Sequence, residues 1–364
     1  MSKTFMPALA FDNTFAQLPE VFYTKMPPEA FAANPVLVHG NRDIAGLLGW
    51  DESVFEHPDF ADYFSGNKLL DGSEPLAMAY SGHQFGVWAG QLGDGRALLL
   101  GQVINADKQR FDIQLKGAGE TPYSRMGDGR AVLRSCIREY LCGEAMHGLG
   151  IATTRALCIV GTNESVQRET VEPGAILTRV AESHIRFGHF EHFNHTVKDK
   201  SLVKILADHV IAEHFTGASY EAWFLEVIHR TAVMIANWQA VGFCHGVMNT
   251  DNMSILGLTL DYGPFGFMET YDPAYVCNHS DHQGRYAYNM QPSVAYWNLN
   301  ALAFALESLI DIEEAKALLK EYQPKLMATY KQLMAEKLGL ANSTDEDVSL
   351  WQQLLTLMRD YNAD

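Results

Sequence analysis

Length, composition and charge exclude several classes of protein. The chain has 364 residues, 47% of them hydrophobic, which is enough for one large core or two smaller ones, so we expect a folded protein with two lobes rather than a disordered chain. Asp and Glu number 44 against 27 Lys and Arg, and the formal charge of −17 repels phosphate backbones. We therefore expect no nucleic-acid partner.

The cysteines and the hydropathy pattern bear on the compartment. The five cysteines form no C-x-x-C pair, and four of them lie in apolar runs, which is typical of reduced core residues in a reducing compartment. The N-terminus lacks a basic segment followed by an apolar one, and no stretch approaches the roughly 20 apolar residues of a membrane span. We expect a soluble cytoplasmic protein, away from membranes, and a monomer.

The first part of the chain predicts little regular structure. Residues 1–75 are rich in aromatic residues and Pro, so we expect an irregular segment that packs on the lobes, with one helix near Arg42 to Leu48. Composition then becomes Gly-rich, and an apolar strand is predicted from Ala97 to Leu100.

A glycine-bearing turn precedes that strand. Gly93-Asp94-Gly95 lies between two apolar runs and predicts a hairpin turn. Such a turn leaves backbone N–H groups free, and the adjacent Arg96 adds donors suited to phosphate. A hairpin that binds no ligand explains the same residues equally simply.

The next strand and helix carry an opposite pair of charges. Residues 110–116 alternate, which places Phe111, Ile113 and Leu115 on one face of a strand and Lys116 on the other. A helix is predicted from Arg130 to His147 and carries Glu139. In kinase-like folds a strand lysine and a helix glutamate together anchor phosphates, the carboxylate orienting the ammonium group.

The start of this helix admits two interpretations. Gly127-Asp128-Gly129-Arg130 predicts a turn that leads into the helix N-terminus, where anions are favoured, and Asp128 is placed either as the helix N-cap or as a ligand contact. Arg130, Arg134 and Arg138 recur every four residues, as an anion-facing stripe or as a solvated face. The predicted apolar side of the helix consists of Val132, Leu133, Cys136, Ile137, Tyr140 and Leu141.

Beyond the helix the chain changes from strands to helices. Strands at 153–160 and 175–180 complete a predicted five-stranded sheet near residue 183. Arg179 and Arg186 flank the predicted junction, where they either clamp phosphates or pair with surface carboxylates. The remaining apolar patterns predict an α+β fold whose second half is helical, with helices at 202–215, 220–241, 298–310, 313–322, 326–338 and 348–358.

The stretch from Cys244 to Asp261, C-H-G-V-M-N-T-D-N-M-S-I-L-G-L-T-L-D, predicts a metal-nucleotide site. It resembles the catalytic segment of protein-kinase-like folds, with Asn252 and a strand-end Asp261 at the two metal-binding positions. The usual base position, two residues after the His, is Val247, so Asp251 is the nearby carboxylate. An ordinary Asn-Asp turn before a strand is the alternative.

Taken together, these segments resemble the selenoprotein O family, the bacterial YdiU-type protein adenylyltransferases of pseudokinase fold. The resemblance covers nearly the whole chain. It is carried by F-D-N-T-F-A-Q-L-P at 11–19, Y-S-G-H-Q-F-G at 80–86, Q-L-G-D-G-R at 91–96, Q-L-K-G-A-G-E-T-P-Y-S-R at 114–125, D-G-R-A-V-L-R-S at 128–135, R-E-Y-L at 138–141, H-G-V-M-N-T-D-N at 245–252 and L-D-Y-G-P-F-G-F at 260–267.

The resemblance implies a protein-kinase-like two-lobed fold, with residues 76–183 as a sheet-rich N-lobe and residues 184–364 as a helical C-lobe. It implies transfer of AMP from ATP to Ser, Thr or Tyr hydroxyls of protein substrates, with ATP flipped relative to kinases and with Mg²⁺ or Mn²⁺ as cofactor. The residue roles that it implies are nucleotide contact by Gly93, Gly95, Arg96, Lys116, Asp128, Gly129 and Asp261, a supporting ion pair of Glu139 with Lys116, phosphate contact by Arg179 and Arg186, proton acceptance by Asp251, and metal binding by Asn252 and Asp261.

One departure from the family pattern concerns the end of the chain. Family members usually continue further and carry a redox-active Cys or selenocysteine near the C-terminus, whereas this chain ends at Asp364. We therefore expect it to lack the family's C-terminal tail.

Three further functions remain open from the sequence. The first is a conventional protein or small-molecule kinase on the same fold, the second is an inactive nucleotide-binding pseudokinase, and the third is UMP transfer from UTP with Mn²⁺ alongside the AMP reaction.

Overall fold

The computed structural model describes residues 6, 8–31, 34–340 and 344–364. The chain divides into two compact units. Unit 1 contains the described residues up to Ser81 together with Gly90–His184, and unit 2 contains Gly82–Ala89 together with Ile185–Asp364.

Unit 1 is built on an antiparallel sheet. Among the described residues its strand order is β1-β3-β6-β7-β10-β9-β2, with β8 beside β10. A separate two-stranded sheet pairs β4 with β5, which lie mostly in the Gly82–Ala89 segment assigned to unit 2. The strands are β1 Tyr23–Lys25, β2 Val36–Gly40, β3 Leu76–Met78, β4 Ser81–Gln84, β5 Val87–Gln91, β6 Ala97–Ile104, β7 Arg110–Lys116, β8 Ala131–Val132, β9 Arg155–Gln167 and β10 Val171–Ala181.

This sheet corrects two predictions. Its two edge strands, β1 and β2, come from residues 1–75, where an irregular segment was expected, so the predicted five-stranded sheet was too small. Both edge strands are short, and β2 has a shifted register, so neither has the long alternating pattern that identifies a strand from sequence.

One face of β7 belongs to the larger of two hydrophobic clusters among the described residues of unit 1. Ile113 and Leu115 belong to a core that includes helices α1 (Arg42–Leu47) and α2 (Phe60–Phe64). Helix α3 (Leu133–Gly148) packs on β9 and β10 through a second cluster. Because side chains alternate along a strand, Lys116 lies on the face opposite Leu115, as predicted.

Helix α3 differs from its prediction at both its start and its surface. It begins at Leu133 with Val132 at the N-cap position, so the N-cap role of Asp128 is wrong. Ile137 and Leu141, assigned to the apolar side, are exposed. Only the face carrying Glu139 and its neighbours is buried, which is narrower than the apolar pattern suggested.

Unit 2 is mainly helical. Side-chain caps define two helix starts: Asp199 accepts a hydrogen bond from Ser201 N, and Ser219 accepts one from Ala222 N. The helices are α4 Phe187–Glu191, α5 Lys200–His214, α6 Tyr220–Ala240, α7 Gln291–Ala305, α8 Ile312–Leu319, α9 Tyr322–Lys337 and α10 Asp345–Tyr361, and β11 (Phe243–Cys244) pairs with β12 (Gly266–Phe267). Helix α6, predicted at 220–241, packs against α7, α8 and α9 and buries Trp223, Phe224, Val227, Ile228, Ile235 and Trp238.

The strand predicted to end at Asp261 is wrong. The preceding residues, 253–260, contain a turn and two isolated bridge residues, Ser254, which pairs with Arg186, and Thr259, instead of a strand. The apolar side chains there are buried in a compact loop, which resembles a buried strand in sequence.

No helix within the described ranges combines the length and apolar character required to cross a membrane.

Candidate functional site

The predicted pair of Lys116 and Glu139 is present in unit 1. Lys116 ends β7 and lies beside Leu177 of β10, and its Nζ donates a hydrogen bond to Glu139 Oε2 on α3. Their side chains are 6% and 4% exposed. Two opposite charges at such burial must contact each other, because an isolated buried ion is strongly disfavoured.

Arg179 lies in the same buried cluster. Its Nε donates to Glu139 Oε1 at 2.6 Å, and its Nη1 donates to Gln114 Oε1 at 3.1 Å. Gln114 in turn donates to Asp94 Oδ2 at 3.4 Å. Arg179 is 3% exposed, so these contacts make it a residue that positions Glu139, in addition to the phosphate role that the family resemblance implies. We define the charge network of unit 1 as Asp94, Gln114, Lys116, Glu139 and Arg179.

The glycines before β6 do not form the predicted hairpin turn. The strands on either side belong to different sheets, so this part of the prediction is wrong. A Cβ on Gly93 would lie 2.4 Å from the ring of Tyr123, and one on Gly95 would lie 2.9 Å from the Tyr123 carbonyl oxygen. Both positions therefore require glycine because another loop passes directly over them.

Arg96 follows these glycines and is exposed. Among the described residues no hydrogen bond or ion pair involves its guanidinium. The side chain therefore keeps its donors available for an anion.

Asp128 and Gly129 have structural roles in the loop before α3. Asp128 accepts a hydrogen bond from Arg130 N at 3.0 Å and pairs with Arg168 at 2.7 Å, and this contact lowers the pKa of Asp128. Gly129 has a φ of +66°, and a Cβ there would lie 2.0 Å from backbone atoms of Gly119. The structure thus accounts for both residues without a ligand, and nucleotide contact remains a proposal.

The arginine stripe of α3 is largely paired. Arg134 donates to both carboxylate oxygens of Glu172, and the Arg130 guanidinium lies 4.0 Å from the ring centre of Phe31. These contacts favour the interpretation as an ordinary protein face for Arg130 and Arg134.

Unit 2 places Asp251 in a different environment. The residue is 8% exposed, and burial raises the pKa of its carboxyl group to about 6. Its Oδ2 accepts a hydrogen bond from Gln84 Nε2 at 3.1 Å, whereas its Oδ1 has no hydrogen-bond partner among the described residues. A buried carboxylate with one unsatisfied oxygen can accept a proton near neutral pH.

Arg186 connects Asp251 to Asp261. Its Nη1 donates to the Asp251 carbonyl oxygen at 2.7 Å and to Asp261 Oδ2. Arg186 is 3% exposed, so its planar, permanently charged group is fixed in position. Asp261 has a φ of +59°, an uncommon conformation for a residue other than glycine, which is typical of functional positions.

Asn252 follows Asp251 on the same short turn, Thr250–Asn252. Its Nδ2 donates to the Val247 carbonyl oxygen at 2.9 Å, which leaves its Oδ1 as the atom available to a ligand. An amide oxygen and a carboxylate suit a hard cation such as Mg²⁺, which typically takes one or two protein carboxylates and completes its shell with phosphates and water. The side chains of Asn252 and Asp261 therefore fit such an ion.

Sequence reasoning missed the segment that packs beneath Asp251. His83 N donates to Thr250 Oγ1 at 2.8 Å, and a Cβ on Gly82 would lie 2.7 Å from Asp251 Oδ1. Together with Gln84, these residues belong to Y-S-G-H-Q-F-G, which carried the family resemblance without being assigned a role. Adjacent Gly and Gln in that motif were the available signal, but only the fold shows which loop they meet.

His245 also has a structural role. It is 1% exposed, its Nε2 lies 2.9 Å from the Leu260 carbonyl oxygen, and its ring stacks on Trp238. His245 lies at the start of the stretch Cys244 to Asp261, and this contact connects it to Leu260, the residue just before Asp261.

Comparison with known proteins identifies the family. A family model described as "Protein adenylyltransferase SelO" matches residues 6–364. The chain is 50% identical over 363 residues to the protein nucleotidyltransferase YdiU of Pseudomonas putida (strain W619), covering 97% of this chain and 74% of that protein. It is 54% identical over 358 residues to the protein of the same name from Pectobacterium carotovorum, covering 97% and 73%.

A third relative, from Myxococcus xanthus and also named protein nucleotidyltransferase YdiU, is 53% identical over 361 residues, covering 98% of this chain and 74% of that protein. Matches at this identity over nearly the whole chain extend through both units. The chain therefore belongs to the SelO family and is an enzyme of the nucleotidyltransferase class.

Proposed function

We propose that the chain transfers AMP from ATP to Ser, Thr or Tyr hydroxyls of protein substrates and releases pyrophosphate. We also propose that it has the protein-kinase-like fold, with residues 76–183 as the sheet-rich lobe and 184–364 as the helical lobe. The family and the names of its relatives support the class of reaction, because those relatives are named protein nucleotidyltransferases. Protein acceptors and the cytoplasm as the place of action are part of the same proposal.

The observation that carries the proposal is the environment of Asp251. A carboxyl group with a pKa of about 6 and an unsatisfied oxygen is suited to take the proton of an acceptor hydroxyl. Val247, at the usual base position, has no ionisable group, and its backbone carbonyl holds Asn252. Asp251 is therefore the residue of this loop best suited to act as general base.

The phosphates of ATP require positive charge, which unit 1 supplies through Lys116 and Arg96. Glu139, held by Arg179, keeps the Lys116 ammonium in place, so little conformational entropy is lost when a phosphate binds. In this proposal Gly93, Gly95, Asp128 and Gly129 also contact the nucleotide, and Arg179 and Arg186 contribute positive charge to its phosphates.

A divalent cation, Mg²⁺ or Mn²⁺, would be held by Asn252 and Asp261 with the phosphates. When bound, it would neutralise charge on the phosphate oxygens during transfer. Arg186 keeps the Asp261 carboxylate in position for that role.

The proposed reaction then balances as follows. Asp251 takes the proton of the acceptor hydroxyl, whose oxygen forms a bond to the α-phosphorus of ATP. The bond from that phosphorus to the oxygen bridging to the β-phosphate breaks, and pyrophosphate leaves. This requires ATP to bind with its α-phosphate towards the acceptor, the reverse of a kinase, and Lys116 and the arginines stabilise the charge on the leaving group.

A two-label transfer assay tests this reaction. Purified enzyme with Mg²⁺ or Mn²⁺ is incubated with a protein acceptor and either α-³²P or γ-³²P ATP, and the adduct mass is determined. We expect label from the α-position only, the mass of an AMP adduct, and loss of labelling by about 10²- to 10⁴-fold in Asp251→Asn with ATP binding retained. Label from the γ-position indicates a kinase, and ATP binding without either label indicates an inactive scaffold.

The metal site is tested separately from transfer. In Asp261→Ala we expect the Mg²⁺-dependent part of ATP affinity to disappear in calorimetry with and without Mg²⁺, because a carboxylate ligand is lost. Repeating the transfer assay with α-³²P UTP and Mn²⁺ determines whether UMP transfer accompanies the main reaction. Equal metal dependence in wild type and Asp261→Ala would contradict the assignment of Asp261.

A further inference from the structure

Unit 2 contains a cavity that has no role in the proposed reaction. It has a volume of about 570 Å³ and is lined by His83, Trp88, His195, Trp297, Asn300, Ala301 and Phe304. The α7 residues Trp297, Ala301 and Phe304 recur at helical spacing, so they share one helix face. Rings from three separate segments of unit 2 thus surround one space.

We call this space the aromatic cavity. The aromatic rings that line it pack against one another. His83 lies 4.9 Å from Trp88 and 5.2 Å from Trp297 between ring centres. His195 stacks on Phe304 at 5.5 Å and meets the edge of Trp88 at 5.1 Å. Aromatic rings that pack against one another are held in fixed orientations. Because the face of an aromatic ring is electron-rich, such rings suit a cation.

A buried carboxylate, Glu191, contacts one of the residues that line the cavity. Glu191 is 0% exposed, and its Oε1 lies 2.5 Å from His83 Nδ1, while its Oε2 has no hydrogen-bond partner among the described residues. No Lys or Arg is among the residues that line the cavity.

Two neighbouring groups are consistent with a cationic occupant. Burial lowers the pKa of His195, which keeps its imidazole neutral at neutral pH. The Arg285 guanidinium lies 5.1 Å from the ring centre of Trp297 but does not line the cavity, so this indole is able to contact a cation, and Arg285 is a charge of the same sign as that occupant.

The aromatic cavity is connected to Asp251 through a single short segment. His83 lines the cavity and donates its backbone N–H to Thr250, while the next residue, Gln84, donates to Asp251. Because consecutive side chains of a strand lie on opposite faces, Gln84 faces Asp251 and His83 faces the cavity, so the cavity and Asp251 flank the same strand, β4.

We propose that the aromatic cavity binds a basic side chain, Lys or Arg, of the protein substrate, and so selects acceptor hydroxyls that have a basic residue nearby. The acceptor part of this inference rests on the proposed function, whereas cation binding in the cavity does not. A basic side chain also complements the strongly negative charge of the whole chain, −17.

Binding is tested without ATP, so that the result is independent of transfer. Fluorescent seven-residue peptides contain one Ser and either one Lys or the uncharged norleucine at a varied position, and their affinities are measured by anisotropy. We expect the best Lys peptide to bind wild type about tenfold more tightly than its norleucine partner, and Trp297→Leu to abolish this preference. The control Tyr361→Leu, which removes another exposed aromatic side chain, retains it.

Two results overturn the inference: equal affinity for the Lys and norleucine peptides in wild type, or a preference that persists in the folded Trp297→Leu variant. The same peptides are then used as acceptors with α-³²P ATP. A lower KM for the Lys peptide that disappears in Trp297→Leu supports substrate selection. Binding preference without any AMP transfer supports cation binding and counts against the proposed function alone.

Discussion

The two units hold their buried charges in different ways. In the charge network of unit 1, Lys116 and Arg179 both contact Glu139 directly, and no side chain of the three is more than 6% exposed. In unit 2, Asp251 is almost equally buried, but one of its carboxylate oxygens has no hydrogen-bond partner in the part of the chain that the structure describes, and burial raises its pKa to about 6. The buried charges of unit 1 are paired with one another, whereas the Asp251 carboxylate of unit 2 is only partly hydrogen-bonded within the described residues.

This difference indicates that the two groups of buried charges suit different tasks. Paired charges on strands and a helix keep their geometry before a ligand arrives, which suits binding of phosphates. A carboxylate that burial leaves incompletely solvated destabilises the fold, but it can take a proton near neutral pH, which suits chemistry. The predictions below remove one feature of this comparison at a time.

The largest effect on stability is expected for Glu139→Ala. It leaves Lys116 and Arg179 buried without the carboxylate that they share, which typically lowers the free energy of unfolding by about 3 to 5 kcal/mol. Urea denaturation monitored by circular dichroism measures this change.

Glu172→Ala is the matched control for Glu139→Ala, because Glu172 also accepts hydrogen bonds from an arginine, Arg134, whose side chain is 62% exposed. We expect Glu172→Ala to lower the free energy of unfolding far less than Glu139→Ala does. Equal shifts in the two variants would show that burial of the unit 1 network has no special energetic role.

A smaller effect of opposite sign is expected for Asp251→Asn. Because the folded-state pKa of Asp251 is raised from 3.8 to about 6, ionisation destabilises the fold as pH rises through this range. Removing the charge should stabilise the fold by roughly 2 to 3 kcal/mol at pH 8 and by little at pH 4. Denaturation at a series of pH values measures the difference.

Asp128→Asn provides the control of opposite sign. Arg168 lowers the pKa of Asp128, so its ionised form stabilises the fold above its ordinary pKa, and that contribution is lost as pH falls through the lowered value. The variant should be less stable than wild type at neutral pH and similar at low pH. If both Asn variants respond to pH in the same direction, the contrast between the two sites is incorrect.

The smallest expected effect is that of Gly82→Ala. The added Cβ would lie 2.7 Å from Asp251 Oδ1 and 3.0 Å from its Cβ, so the carboxylate must shift. We expect a loss of stability of about 1 to 3 kcal/mol, typical of overpacking, and a lower kcat with little change in KM for ATP. Gly46→Ala, where the new Cβ has no neighbour within 4 Å, is the control. An unchanged kcat in Gly82→Ala would remove Gly82 from the site.

Sequence patterns identified some elements well and others poorly. The period-2 pattern of 110–116 predicted β7 with its true bounds, and the apolar stripe predicted α6 to within a residue at its end. Long, regular patterns succeed because one face of each element is buried. The short edge strands β1 and β2 and the loop at 253–260 failed because their order depends on distant partners rather than on a local pattern.

For the site, the sequence alone led to the prediction of Lys116, Glu139, Asp251, Asn252 and Asp261, because charged and amide side chains at those positions of the family motifs suit the chemistry. Only the tertiary structure revealed that Arg179 supports Glu139, that Arg186 joins Asp251 to Asp261, and that Gly82 and Gln84 adjoin the Asp251 carboxylate. The physical reason is that residue type determines what a side chain can do, whereas burial and the partner across space determine its charge, its pKa and its freedom to react.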